Sequence, residues 1–75
     1  MSNYQMEVLA CINRHPEGIT TSEIIDELRP GIDSWDRACA RNHTHHACRS
    51  LKRFGMIVQL RSGNGFRSLW GPADY

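Results

Sequence analysis

The sequence predicts an α+β domain, mostly helical: a three-helix core (four-helix if the chain breaks near Asn42) with a C-terminal two-stranded β-hairpin. Three observations lead there. Apolar residues recur at helical spacing from Tyr4 to Phe54. Breakers separate those stretches at His15-Pro16-Glu17-Gly18 and Arg29-Pro30-Gly31. Beyond Gly55 the spacing changes to a strand-like run from Met56 to Trp70, interrupted by Ser62-Gly63-Asn64-Gly65, a tight-turn signal.

At 75 residues the chain is expected to form a single domain, residues 1–75. A chain of this size buries only about 60% of its unfolded surface. So thin a core has no room for a deep pocket, which argues against a self-contained enzyme. No stretch approaches the ~18 consecutive apolar residues of a membrane helix. The start of the chain has neither the basic nor the apolar region of a signal peptide. Three cysteines, an odd count at spacings that match no disulfide framework, fit a reducing cytoplasmic setting.

The first helix is expected from Asn3, as N-cap, to about His15, with Tyr4, Val8, Leu9, Cys11 and Ile12 inward. Pro16 ends it, by removing a donor and disfavouring helix at the residue before it. Ile19-Thr20 is a short extended piece able to add a minor strand to the hairpin. Thr20 or Thr21 caps the second helix, with Glu23 completing a capping box if Thr20 is the cap. Ile24, Ile25 and Leu28 form its inner stripe, and Arg29-Pro30-Gly31 stops it.

From Ile32 to Arg41 two outcomes stay open. Asp33 or Ser34 caps a helix that runs unbroken into the third, or Asn42 or Thr44 caps a separate third helix. Between Thr44 and Phe54 the inner face is Thr44, Ala47, Cys48, Leu51 and Phe54; the outer face carries His45, His46, Arg49, Lys52 and Arg53. Gly55 stands where a left-handed C-cap belongs. Pro72 and Asp74 suggest a loosely held tail. Trp70 is expected to close the core under the hairpin, whereas Trp35, among charged residues, is open to a dimer interface or a protein partner.

Charge is unevenly divided. Through Asp36 there are seven acids against two bases, a net −5; from Arg37 onward there are seven bases against one acid, a net +6. Such polarity points to a nucleic-acid face on the second half, or to two solvated faces of unrelated charge. Cys39, His43 and His46 fall at helical spacing, as do His45 and Cys48. Zinc sites normally draw on paired knuckles and not on one continuous helix, so no metal or other cofactor is expected. Cys11 and His15, taken with His43, have the residue types of a nucleophile and base, but no orienting acid or oxyanion donors accompany them.

The order helix, short strand, helix, helix, hairpin resembles the winged helix-turn-helix family over most of the chain, from Tyr4 to Trp70. Thr44, Cys48, Leu51, Gly55, Met56 and Ile57 fall on that family's recognition-helix pattern, and Ile24, Ile25 and Leu28 resemble the stripe of its supporting helix. Two departures are the long Arg29-to-His43 lead-in and Cys48 in place of the usual leucine. The resemblance implies a small transcriptional regulator of bacterial or phage type that binds double-stranded DNA and is cytoplasmic or nucleoid-associated. Its third helix would enter the major groove and its hairpin would touch the backbone or minor groove. Arg49 and Arg53 would then reach guanine edges, with Asn42, His45 and His46 on base edges or nearby phosphates. Arg41, Lys52, Arg61 and Arg67 would contact phosphates. A homodimer is a further expectation. The competing expectation is a winged-helix protein-interaction module without specific DNA binding.

Overall fold

A computed structural model, which describes residues 2–63 and 67–73, orders the chain as α1 (Asn3–Asn13), β1 (Ile19–Thr20), α2 (Thr21–Leu28), α3 (Ser34–Arg53), β2 (Ile57–Arg61) and β3 (Leu69–Pro72). The three helices pack around one side of a three-stranded antiparallel sheet in the order β1-β3-β2. The result is α+β and mostly helical, as expected, with three helices and not four among the described residues.

Each helix start is set by a short polar side chain. Ser2, and not Asn3, caps α1: its Oγ accepts from the Gln5 N–H, and the Gln5 side chain accepts from the Ser2 N–H in return. Asn3 is already helical, because the reciprocal Ser-Gln pair satisfies two orphan donors where a lone Asn satisfies one. Thr20 and Glu23 form the anticipated capping box on α2. Asp33 caps α3 by accepting from the Asp36 N–H at 2.9 Å.

No break occurs at Asn42. Ser34 to Arg53 is a single helix of 20 residues, roughly 30 Å long. It contains neither Pro nor Gly, and an exposed asparagine costs only a few tenths of a kcal/mol in a helix interior. The long lead-in after Arg29 is therefore mostly helix. Arg37 ties its first turns to α2, donating to Asp26 Oδ1 at 2.6 Å and Ser22 Oγ at 2.9 Å.

The end of α3 corrects a second expectation. Phe54 is 71% exposed, because it is the C-cap, where the helix has already begun to turn away from the core. Gly55 follows at φ +76°. Its N–H donates to the Lys52 carbonyl and the Met56 N–H donates to the Leu51 carbonyl, at 3.0 and 2.9 Å. These are the two bonds of a Schellman cap, which needs a left-handed residue at this position.

Val8, Cys11 and Ile12 of α1, Ile24 of α2, and Ala47, Cys48 and Leu51 of α3 meet Ile19, Ile57 and Trp70 of the sheet in one core. Trp70 is its largest member, as anticipated, and its indole N–H donates to Thr21 Oγ1 at 2.9 Å inside the protein. Burying that ring brings about 150–250 Å² out of water. Tyr4 pins the start of α1 to α3 through its 2.6 Å hydrogen bond with Thr44.

The minor strand anticipated at Ile19-Thr20 is present. β1 adds a third strand, pairing Ile19 with Trp70 and Thr20 with Leu69. β2 and β3 pair antiparallel from Ile57↔Pro72 to Arg61↔Leu69, with an irregularity between Gln59 and Arg61. β3 starts at Leu69, so residues 62–68 separate the strands; the predicted Asn64-Gly65 turn and Phe66 lie outside the described residues. Pro72 is not tail but the last residue of β3, where it stands across from Ile57 of β2. Asp74 lies outside the described residues.

Candidate functional site

Only the C-terminal half of α3 is anchored in the core: its fully buried side chains are Thr44, Ala47, Cys48 and Leu51. At 100° per residue, Asn42, His45, His46, Arg49, Lys52 and Arg53 fall within an arc of about 120° whose midpoint lies about 30° from the direction opposite those four. Burial of one face thus forces the other outward. Asn42, His46, Arg49, Lys52 and Arg53 are exposed; Arg41, at the margin of the arc, and His45 are half-buried.

Where α3 meets the sheet, this face continues into an open groove of about 790 Å³. His45, His46, Arg49, Lys52 and Arg53 line its helical wall, while Gln59, Gly63, Ser68 and Trp70 line the other. A hydrogen-bonded chain holds the walls together. Lys52 Nζ donates to Gln59 Oε1 at 2.8 Å, Gln59 Nε2 donates to Ser68 Oγ at 3.1 Å, and Ser68 Oγ–H reaches the Gly63 carbonyl at 3.3 Å. Lys52 is held by a neutral amide, so its charge stays uncompensated. Gln59, Ser68 and Trp70 were not among the expected site residues. Strand alternation was the available signal for Gln59, which stands between the outward Val58 and Leu60.

His45 is the one member of the expected outer face turned partly inward. Its ring stands edge-on to Trp70, centroids 6.3 Å apart, and Nδ1 is buried without a hydrogen-bond partner. Burial depresses its pKa, with Arg49 and then His46 adding repulsion. At neutral pH His45 is therefore an uncharged floor of the groove.

The charge count looks different once pairing is known. Arg14 pairs with Glu27, Arg29 with Glu7 and Arg37 with Asp26. Arg49, Lys52, Arg53, Arg61 and Arg67 have no carboxylate partner among the described residues. Arg61, at the end of β2, and Arg67, just before β3, are both exposed. Part of this basicity has a structural use, because Lys52 and Arg53 sit in the last turn of α3 and complement its dipole. That accounts for two of five cations and leaves Arg49, Arg61 and Arg67 without such a role.

The histidines and cysteines of α3 do not converge. Cys39 is exposed, Cys48 is core, and the donors of His43 and His46 form no cluster with them. Among the described residues, the group that gathers three metal-type donors is Cys11, His15 and Glu27, all within 4.8 Å of one another. Cys11 lies in the last turn of α1, His15 in the turn that follows, and Glu27 in the last turn of α2. The Cys11 thiol donates to Glu27 Oε2 at 2.9 Å, Arg14 Nη2 donates to the same oxygen at 2.6 Å, and His15 Nε2 meets Glu27 Oε1 at 2.8 Å. Those contacts hold the Glu27 pKa down to about 2, the thiol contributing most, then Arg14 and His15. Glu27, with Glu17 after it, raises the pKa of His15.

The acid absent from the sequence reading of Cys11 and His15 is thus supplied by α2. It does not make Cys11 a nucleophile. Burial and the neighbouring carboxylate push the thiol up to about 12, away from the reactive thiolate.

No protein-family model, curated protein or solved structure matches the chain.

Proposed function

We propose that the protein binds double-stranded DNA as a winged helix-turn-helix regulator, with α3 in the major groove and the β2–β3 segment along the adjacent backbone or minor groove. The observation that carries this is the face of α3 opposite the core. It is polar and cationic from Asn42 to Arg53 and continues into a groove lined by Arg49, Lys52 and Arg53 and by no carboxylate among the described residues. The order α1-β1-α2-α3-β2-β3, with α2 and α3 joined by a short connection from Arg29 to Asp33, supports it further. Arg49 and Arg53, one helical turn apart, are assigned to base edges, where a guanidinium makes two bonds to guanine. Lys52, Arg61 and Arg67 are assigned to phosphates, with His46 and Asn42 beside them and Arg41 at the margin.

The test is binding to random-sequence duplex DNA at low and moderate salt, comparing the wild type with Arg49→Ala and Arg53→Ala. Wild-type binding that weakens in both variants supports the assignment. Absence of binding at ~50 mM salt, where counterion release is strongly favourable, rejects it.

A second function has one specific observation in its favour. Trp35, on α3 roughly 27 Å from Arg53, is 83% exposed, as expected of an aromatic that meets a protein partner or a second copy of the chain. Should DNA binding be absent, a protein-interaction module becomes the preferred function.

A further inference from the structure

We propose that Cys11, His15 and Glu27 form a binding site for a single divalent transition-metal ion of the zinc type. The site bridges the end of α1 to the end of α2 and is separate from the groove beside α3.

The donor set selects the ion. A thiolate sulfur, an imidazole nitrogen and a carboxylate oxygen suit a cation of borderline softness. Magnesium and calcium ask for shells of oxygen and are poorly served here. A tetrahedral zinc with bonds of roughly 2.0–2.3 Å sets its ligands about 3.3–3.8 Å apart. The three donors already lie within 4.8 Å of one another, so the widest pair has to close by no more than about 1–1.5 Å to reach that spacing. Three protein ligands leave a fourth position, which opens to solvent on the Glu27 side.

A separate feature favours metal over a mere hydrogen-bonded hub. The nitrogen of His15 that faces the cluster is Nε2, while its Nδ1 lies 3.3 Å from Glu17 Oε1. A carboxylate on the far nitrogen is the usual device for holding a metal-bound histidine in one tautomer and orientation. The Cys11 sulfur is already held at its place by burial in the core. On binding, the Cys11 thiol releases its proton to solvent and the ion takes the place of that proton between sulfur and carboxylate. Arg14 Nη2, which lies 2.6 Å from the same Glu27 oxygen as the thiol, has an exposed stem on which to swing outward as the ion enters. The two ligand charges then balance the dication.

The experiment uses the untagged full chain under a non-chelating reductant, titrated first with Co²⁺ and then with Zn²⁺ in competition. The expected result is a thiolate-to-cobalt charge-transfer band with the visible bands of tetrahedral cobalt, displaced by Zn²⁺ and unaffected by excess Mg²⁺. Cys11→Ser should abolish the charge-transfer band, while Cys39→Ser and Cys48→Ser should retain it. His15→Gln and Glu27→Gln should weaken Zn²⁺ binding at least ~10-fold, and Glu17→Gln by roughly 10-fold or more through the orientation of His15. Circular dichroism checks the fold of each variant. Should Cys11→Ser not fold, the exposed Glu17 and Glu27 variants decide the matter. No charge-transfer band in the wild type, a band that survives in Cys11→Ser, or Zn²⁺ affinity indifferent to Glu27→Gln would each overturn the site.

Discussion

Replacing Thr21 by valine removes one oxygen from the interior and leaves shape and branching almost unchanged. Thr21 and Trp70 are both buried, and the indole N–H donates to Thr21 Oγ1 at 2.9 Å. In the variant that N–H has neither a partner nor water. A buried donor left unsatisfied costs about 1–3 kcal/mol. A domain of this length has a total stability on the order of 4–11 kcal/mol, so one atom controls a substantial share of it. With roughly 4–8 °C of melting temperature per kcal/mol at this size, the expected loss is about 8–16 °C for 2 kcal/mol. Urea unfolding followed by tryptophan emission measures the free energy. A Trp35→Phe background leaves Trp70 as the reporter, since the chain has two tryptophans. The consequence reaches the groove, because His45 leans on the Trp70 ring. A change in stability below ~0.5 kcal/mol, within the range of ordinary neutral substitutions, would refute the view that this bond holds the sheet to α2.

Further outcomes follow from other parts of the structure. With Lys52, Arg61 and Arg67 on phosphates and Arg41 beside them, log affinity for DNA should fall with log salt at a slope of about −3 to −4; Arg61→Gln should make it shallower by about 0.9 without altering sequence preference. An unchanged slope would remove Arg61 from the interface. Gly55→Ala meets no neighbouring atom but must keep φ +76°, so calorimetry should show a loss of about 1–2 kcal/mol from backbone strain alone. The Glu27 and His15 pairing makes stability pH-dependent in two directions. The pKa of Glu27 is lowered to about 2, so its contribution is complete above the ordinary carboxylate range and disappears as pH falls toward 2. His15 is shifted upward, so its contribution is complete below ~6.5 and disappears as pH rises through the folded-state value. Melting curves of Glu27→Gln should therefore approach wild type in acid, and those of His15→Gln should approach it in alkali.

Local signals in the chain were legible in proportion to how short-range their physics is. Thr20 and Glu23 cap α2 three residues apart, Gly55 closes α3 within its own last turn, and Arg29-Pro30-Gly31 ends α2 whatever surrounds it. The inner stripes Val8-Cys11-Ile12 and Thr44-Ala47-Cys48-Leu51 also held, because helical spacing alone puts those residues on one side. Phe54 continued that spacing but lies where the helix has stopped, so periodicity placed it inward and the cap turned it out. Asn42 offered a break that an intact ladder from Asp33 onward overrode. Pro72 read as tail because nothing nearby reveals that Ile57 stands across from it.

The basic run from Thr44 to Arg53 shows the same division. Sequence alone determined that its cations share a face, since a helix anchored by Thr44, Ala47, Cys48 and Leu51 has no other place for them. Only tertiary structure decided which charges remain uncompensated: Arg37 is taken by Asp26 across α2, whereas Arg49 has no acid partner among the described residues. Tertiary structure likewise turned His45 onto Trp70, placed Gln59 and Ser68 opposite Lys52, and brought Glu27 to Cys11 across 16 positions of chain. Capping and periodicity act within a turn or two of backbone, where the identities of neighbours are enough. Charge pairing and the convergence of donors depend on which surfaces come together when the core closes.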